Sequence, residues 1–327
     1  MKRLILIYNP RSSRYLDVKK DVLSKVADLK SCMVGKYEVK KTSIDENVKD
    51  LAKVLDDGDL VVAAGGDATG VIAVNGIMKS EKDATLAVLP YGNFNDLART
   101  LGTKTLEDVL DTGNQNTHFG THSRLFGRAY SPEVSISDCR DAKLYPLEII
   151  VDGEFWRYAS CYVTMGMTAE AVKLYDSPAM RKQLKTKFGR AVGSYTGLAG
   201  WYLKNRRKKR FLPEFALNGV PQDRRTSDYA AVNGRSMARV MKGGDDWMDV
   251  RRFRSETDRL TSFWRLLKLM SKSILVRVPG KETMGDVLEF VQPGRVEIQA
   301  EGESRVFEGV SKIEIRKAGK WLKVIKI

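Results

Sequence analysis

The sequence predicts an α/β protein in two parts: an N-terminal parallel sheet covered by helices, then a largely antiparallel, β-rich second domain. Three observations predict it. Over roughly the first hundred residues, short apolar runs alternate with helical patterns, which builds a parallel sheet with helices on both faces. After about residue 125, strand patterns instead follow one another through short turns. The length of 327 residues also exceeds what one hydrophobic core usually serves. The first domain is placed at 1–125, with 315–327 packing back on it, and the second at 126–314.

Taken in order, Leu4–Tyr8, Asp59–Ala64 and Thr85–Leu89 are apolar runs bounded by turn signals, as in strands buried on both faces. Tyr37–Thr42 alternates, as a more exposed strand does. Helical patterns fill the gaps at Asp17–Lys30, Asp45–Leu55, Gly70–Met78 and Phe94–Leu101. In the second domain, Leu144–Val151 and Phe155–Met165 flank Asp152-Gly153, a strong hairpin signal. Further strands are expected at Phe211–Leu217, Asp228–Asn233, Trp247–Phe253, Val287–Val291, Arg295–Ala300, Lys312–Arg316 and Trp321–Ile327. Two amphipathic helical segments interrupt them, one over 191–203 and one over 260–274.

Composition narrows the class. Apolar residues make up 43% and charged residues 30%, which suits a globular chain rather than a disordered one. No apolar run approaches the ~18 residues of a spanning helix, and Leu4–Tyr8 is too short for a signal peptide. Cys32, Cys139 and Cys161 have no metal-ligand spacing, so a cytoplasmic setting is expected. His118 and His122, the only histidines, read as a polar surface loop, and Ser-His-Asp chemistry is excluded. The net charge is +15, and 181–210 holds eleven Lys/Arg with no acid. There, Tyr195, Trp201 and Tyr202 lead into Lys204–Arg210, a pattern that favours an anionic bilayer surface over nucleic acid.

The sharpest local feature is Gly65-Gly66-Asp67-Ala68-Thr69, directly after a strand and before a helix. Glycines let backbone approach phosphate, and a helix N-terminus adds oriented N–H donors. No Gly-Lys-Ser/Thr follows, so it is not a P-loop. Two more motifs end predicted strands: Asn9-Pro10-Arg11-Ser12-Ser13, and Pro90-Tyr91-Gly92-Asn93-Phe94-Asn95-Asp96-Leu97-Ala98-Arg99. Downstream stand Asp245-Asp246 and Glu301-Gly302-Glu303, where Glu301 and Glu303 read as lying on the same side of one strand.

In that order, these motifs resemble the diacylglycerol kinase catalytic-domain family, which includes bacterial lipid kinases and sphingosine kinases. The resemblance implies a two-domain ATP-dependent lipid kinase with nucleotide in the interdomain cleft. It transfers the γ-phosphoryl group to a hydroxyl of a membrane lipid such as diacylglycerol. By the same resemblance, Asn9, Thr42, Gly65, Gly66, Asp67, Thr69 and Asn93 line the ATP site, with Arg99 supporting. Asp67 and Asp96 serve metal and phosphates, Glu303 is the general base, and Asp245 and Asp246 form a structural Mg²⁺ site. The expected location is peripheral, at the inner face of the membrane, and self-association into a homodimer stays open.

The pattern has departures. Ala68 and Ser13 replace glycines, Asn93 a threonine and Glu301 an aspartate, and Val71-Ile72 stand where the family usually has Asn-Glu. Glu148 is placed where the family has an aspartate on the second domain's first strand. The alternatives are an NAD kinase-like small-molecule kinase, which shares the Gly-Gly-Asp turn, and a catalytically impaired membrane-binding relative.

Overall fold

The computed structural model describes residues 3–12, 14–27, 29, 32–92, 95–110, 141–166, 169, 212–222, 228–237, 241–242, 248–258 and 281–327. The basic segment 181–210, the helical patterns at 191–203 and 260–274, and both histidines lie outside these residues. In chain order the strands are β1 (Arg3–Tyr8), β2 (Met33–Glu38), β3 (Leu60–Gly65), β4 (Thr85–Pro90), β5 (Asp141–Leu144), β6 (Leu147–Val151), β7 (Glu154–Ala159), β8 (Tyr162–Gly166) and β9 (Phe215–Leu217). There follow β10 (Val220–Pro221), β11 (Asp228–Val232), β12 (Ser236–Met237), β13 (Met241–Lys242), β14 (Phe253–Asp258), β15 (Lys281–Gly285), β16 (Val287–Ala300), β17 (Glu303–Lys317) and β18 (Leu322–Ile325). The helices are α1 (Tyr15–Val18), α2 (Ser24–Ala27), α3 (Ile44–Val54), α4 (Asp67–Ser80), α5 (Asp96–Leu101) and α6 (Leu106–Leu110), with a π-helical turn joining α1 to α2.

The chain divides into two compact units, 1–144 with 322–327 and 145–321. The expected boundaries at 125 and 315 differ from these because β5 and β18 pair with each other in the first sheet, Leu322 opposite Leu144. That sheet has six strands in the order β2-β1-β3-β4-β18-β5. All its pairings are parallel except β18 with β5. β3 lies between β1 and β4 and is buried along its whole length, which is why its sequence is an unbroken apolar run. Ser43 caps α3 by accepting the Glu46 N–H at 3.4 Å, as the Ser-x-x-Glu spacing favours.

The second unit contains a ten-stranded sheet, and each of its pairings is antiparallel. The predicted fold class, a parallel sheet plus a separate antiparallel one, is the class observed. One face of the second sheet carries an apolar core that includes Ile149, Val163, Met165, Tyr229, Phe290, Ile298 and Ile315. The Asp152-Gly153 hairpin forms between β6 and β7 with both turn residues at positive φ, 52° and 83°.

Several expected strands are cut differently. Leu144–Val151 is split at Tyr145-Pro146, because β5 pairs in the first sheet and β6 in the second. Phe155–Met165 is split at Ser160-Cys161, β7 pairing β6 while β8 pairs β11 and β16. Residues 248–252 form a turn, with the Met248 carbonyl accepting the Tyr145 N–H, so the strand expected to end at Phe253 begins there instead. The runs at 287–291 and 295–300 are one strand, β16, whose register shifts around Gly294.

A buried polar cluster closes one end of this unit. Asn233, fully buried, donates through Nδ2 to the Tyr145 and Ser160 carbonyls at 3.0 and 2.7 Å and accepts from the buried Lys317 ammonium. An unpartnered buried polar group costs ~1–3 kcal/mol. Asn233→Ala is therefore expected to destabilise the protein by about 3 kcal/mol, measured by chemical denaturation, whereas a change under about 1 kcal/mol would contradict this reading.

Candidate active site

The topology fixes where a site forms. After β1 the chain turns outward to β2, then crosses back to place β3 on the other side of β1. The connections after β1 and β3 therefore run in opposite directions across the sheet, the kind of switch point beside which ligands of open α/β sheets usually bind. The Asn9–Ser12 loop and the Gly65–Thr69 turn begin these two connections. The Pro90–Arg99 motif follows β4, and Thr42 follows β2.

The loops are laced to one another. Gly66 has φ −92°, so no unusual dihedral calls for glycine there, and a Cβ would make one tight contact, 3.2 Å from the Gly92 Cα. A Cβ on Gly92 would lie 2.2 Å from the Gly66 Cα and 2.9 Å from the Asn95 Oδ1. The two glycines thus let the turn after β3 and the turn after β4 meet backbone to backbone. Asn95 holds the left-handed conformation at φ 56°, which Asn tolerates. Its amide mimics a peptide group, accepting from the Gly92 N–H at 2.7 Å and donating to the Gly92 carbonyl at 2.9 Å. From the β1 side, Ser12 Oγ donates to the Tyr91 carbonyl at 2.9 Å and Arg14 to the Pro90 carbonyl at 3.1 Å.

Asp67 opens α4, and its carboxylate crosses to the next turn. Oδ1 accepts the Asp96 N–H at 2.8 Å and Oδ2 the Asn95 N–H at 3.1 Å. Asp96, itself buried, pairs with Arg99. Burial first, and the Asp96 charge second, push the Asp67 pKa up to about 6, against the pull of the two N–H bonds and of Arg99. The Thr69 and Gly70 N–H groups are taken by the Gly66 carbonyl at 3.0 and 3.2 Å. Those of Asp67 and Ala68 have no acceptor within the helix, as in any first turn. Ala68 sits inside α4 and has no positive φ, so the family's glycine is replaced without backbone strain.

The other predicted residues fall as follows. Thr69 is buried, and its side chain lies where a Gly65 Cβ would be, with Oγ1 2.3 Å from that position. Gly65 is thus needed to make room for Thr69. Asn9 shapes its own loop, its Oδ1 accepting the Arg11 N–H at 2.9 Å. Thr42 is exposed, in a segment held by Asn47, which donates to the Lys41 and Ser43 carbonyls at 2.9 and 2.6 Å. Asn93, Asp245 and Asp246 lie outside the described residues. Among the described residues, no group of three or more His, Cys, Asp or Glu is placed to hold a metal ion. Asn47 and Asn95 were missed as organising residues. An Asn just before a helix was the available signal for Asn95.

In the second unit, the Glu-Gly-Glu reading needs correction. Glu301 and Gly302, at φ 49° and 92°, are the two central residues of the turn between β16 and β17. Glu301 and Glu303 therefore do not share one side of a strand. Glu301 is buried, and its Oε1 accepts from Ser160 Oγ and from the Cys161 N–H. Glu303 begins β17, partly exposed and paired with Ala300. Glu148 is engaged by Arg316 at 3.1 Å, in a row with Glu314.

Glycine-rich turns, a helix N-terminus and the carboxylates Asp67 and Asp96 thus gather at the carboxyl ends of β3 and β4, the layout of a phosphate-binding α/β domain. Residues 3–118 match the family model described as the diacylglycerol kinase catalytic domain. The chain is 39% identical over 114 residues to a diacylglycerol kinase of Bacillus subtilis (strain 168), covering 34% of this chain and 36% of that protein. It is 32% identical over 111 residues to a diacylglycerol kinase of Staphylococcus carnosus (strain TM300), covering 33% and 35%. The match thus spans about a third of the length of these relatives. In fold, the whole chain is similar to a crystal structure of a diacylglycerol kinase from Bacillus anthracis str. Sterne, with a TM-score of 0.59 at 16% identity, covering 100% of this chain and 97% of that one.

Proposed function

We propose that this protein is an ATP-dependent lipid kinase that phosphorylates a hydroxyl of a membrane lipid such as diacylglycerol. The observation that carries the reading is Asp67, joined to Asp96 and opening α4 at the switch point, within the stretch that matches the kinase domain. The α4 N-terminus and the Gly65-Gly66 backbone take the ATP phosphates, where partial positive charge favours them. Asp67 and Asp96 would hold Mg²⁺. The fit is chemical: two neighbouring carboxylates, one with its pKa pushed up first by burial and second by the other's charge, suit a cation that usually takes one or two carboxylates plus phosphate oxygens. When bound, Mg²⁺ neutralises charge on the phosphates. Arg99 balances Asp96, and Glu303 accepts the proton of the lipid hydroxyl. As that oxygen bonds to the γ-phosphorus, the bond to the bridging oxygen breaks and ADP leaves.

Because the acceptor resides in a bilayer, the basic segment Lys204–Arg210 is read as a docking surface for anionic lipid at the inner face of the membrane. Among the described residues, no helix is long and apolar enough to cross a membrane.

The test is ATP turnover with Mg²⁺ on vesicles carrying diacylglycerol in anionic and in neutral lipid. ADP and phosphorylated lipid should form in equal amounts, faster on anionic vesicles and less so at high salt. Purified folded protein that consumes no ATP with any lipid acceptor would sink the reading.

A further inference from the structure

Glutamate is an unusual residue for the first centre of a two-residue hairpin turn, where Asn, Asp or Gly is preferred. Two other turns in the same unit obey the preference: Asp152-Gly153 and Asn218-Gly219, each with both residues at positive φ. At the β16–β17 turn, Glu301 adopts the same conformation at φ 49°. Yet its side chain turns inward and is only 5% exposed. What a glutamate adds there is reach. Its carboxylate extends to the corner between β7 and β8, accepting from the Ser160 hydroxyl and the Cys161 N–H.

That corner is itself held from the other side. The Asn233 and Gly234 N–H groups donate to the Cys161 carbonyl at 2.6 and 3.0 Å. Asn233 Nδ2 donates to the Ser160 carbonyl at 2.7 Å, and Lys317 donates to Asn233 Oδ1. Ser160, Cys161 and Asn233 are all buried. A fixed anchor therefore grips a turn whose next residue after Gly302 is Glu303.

We infer that Ser160 and Glu301 are positioning residues for Glu303. The Ser160–Glu301 bond sets the direction in which the hairpin presents the Glu303 carboxylate to the acceptor hydroxyl. The inference rests on the reading of Glu303 as the general base. Residues that act only through a catalytic group lose their effect once that group is gone, so a double-mutant comparison isolates the role.

Single-turnover transfer from ATP to dioctanoylglycerol is the measurement, with ATP affinity read by calorimetry. Ser160→Ala should slow transfer about tenfold, with ATP affinity unchanged and the fold intact. In a Glu303→Gln background, the same substitution should have no further effect. If Ser160→Ala fails to fold, Glu301→Gln, which keeps side-chain volume and one acceptor oxygen, is compared in the same two backgrounds. Equal losses with and without the Glu303 carboxylate would overturn the positioning role and leave the kinase reading standing. A Glu303→Gln enzyme as fast as wild type would overturn the positioning role together with the assignment of Glu303. Wild-type protein that transfers to no lipid would take the kinase reading down as well.

Discussion

Asp67→Ala is expected to lower turnover at least about 100-fold, because it removes a carboxylate and two charge-assisted hydrogen bonds at once. The substitution strips the acceptors from the Asn95 and Asp96 N–H groups and leaves one carboxylate where two stood. Asp67→Asn should fail nearly as badly, since its NH₂ group would face one of those N–H donors. Circular dichroism should show a retained fold for both variants. A wild-type rate in either would remove Asp67 from the mechanism.

The same residue predicts a pH dependence. With its pKa raised from 3.8 to about 6 by burial and by Asp96, Asp67 gains a proton as pH falls through about 6, and kcat/KM should fall with it. Stability runs the other way. A carboxyl whose folded pKa lies above its unfolded value contributes stability fully present below 3.8 and lost as pH rises through about 6. Removing the second cause, by Asp96→Asn, should move the acid limb of whatever activity remains to lower pH. An acid limb unmoved by that change would mean another group titrates there.

Gly92→Ala should be the most damaging single methyl in the first unit. Its Cβ would lie 2.2 Å from the Gly66 Cα and 3.0 Å from the Gly66 nitrogen. These are backbone atoms that no rotamer change can move away, so the two turns would have to part. Adding a methylene to a packed site usually costs ~1–3 kcal/mol, and about 3 kcal/mol or more is expected here, with ATP affinity lost in parallel because the Gly65-Gly66 turn, proposed to take the phosphates, shifts. Gly319→Ala is the control: no atom lies within 4 Å of its Cβ, so stability should stay within about 0.5 kcal/mol of wild type. Denaturation and calorimetric ATP binding measure both variants. Equal behaviour of the two would show that the backbone-to-backbone contact is not what holds the site.

The sequence by itself determined the elements whose signals are local. β3 is an unbroken apolar run because both its faces are covered. Asp152-Gly153 makes a hairpin because its residues tolerate positive φ. Gly65–Thr69 ends a strand and opens a helix, so Asp67 was legible as a carboxylate at a helix start beyond a strand's carboxyl end. What the tertiary structure decided are matters of pairing between distant segments. The apolar pattern 144–151 reads as one strand, yet its halves join different sheets, a choice made by partners at 322–325 and 313–317. Gly92 reads only as part of a motif after a strand, but the Gly66 backbone opposite is what excludes a side chain there. Glu301 reads as sharing one side of a strand with Glu303, yet it sits in the turn and Ser160, far away along the chain, holds it inward. Local signals follow from one residue's own dihedrals and hydropathy. A missing Cβ or a buried carboxylate takes its meaning from the atom opposite, and only the folded chain brings that atom there.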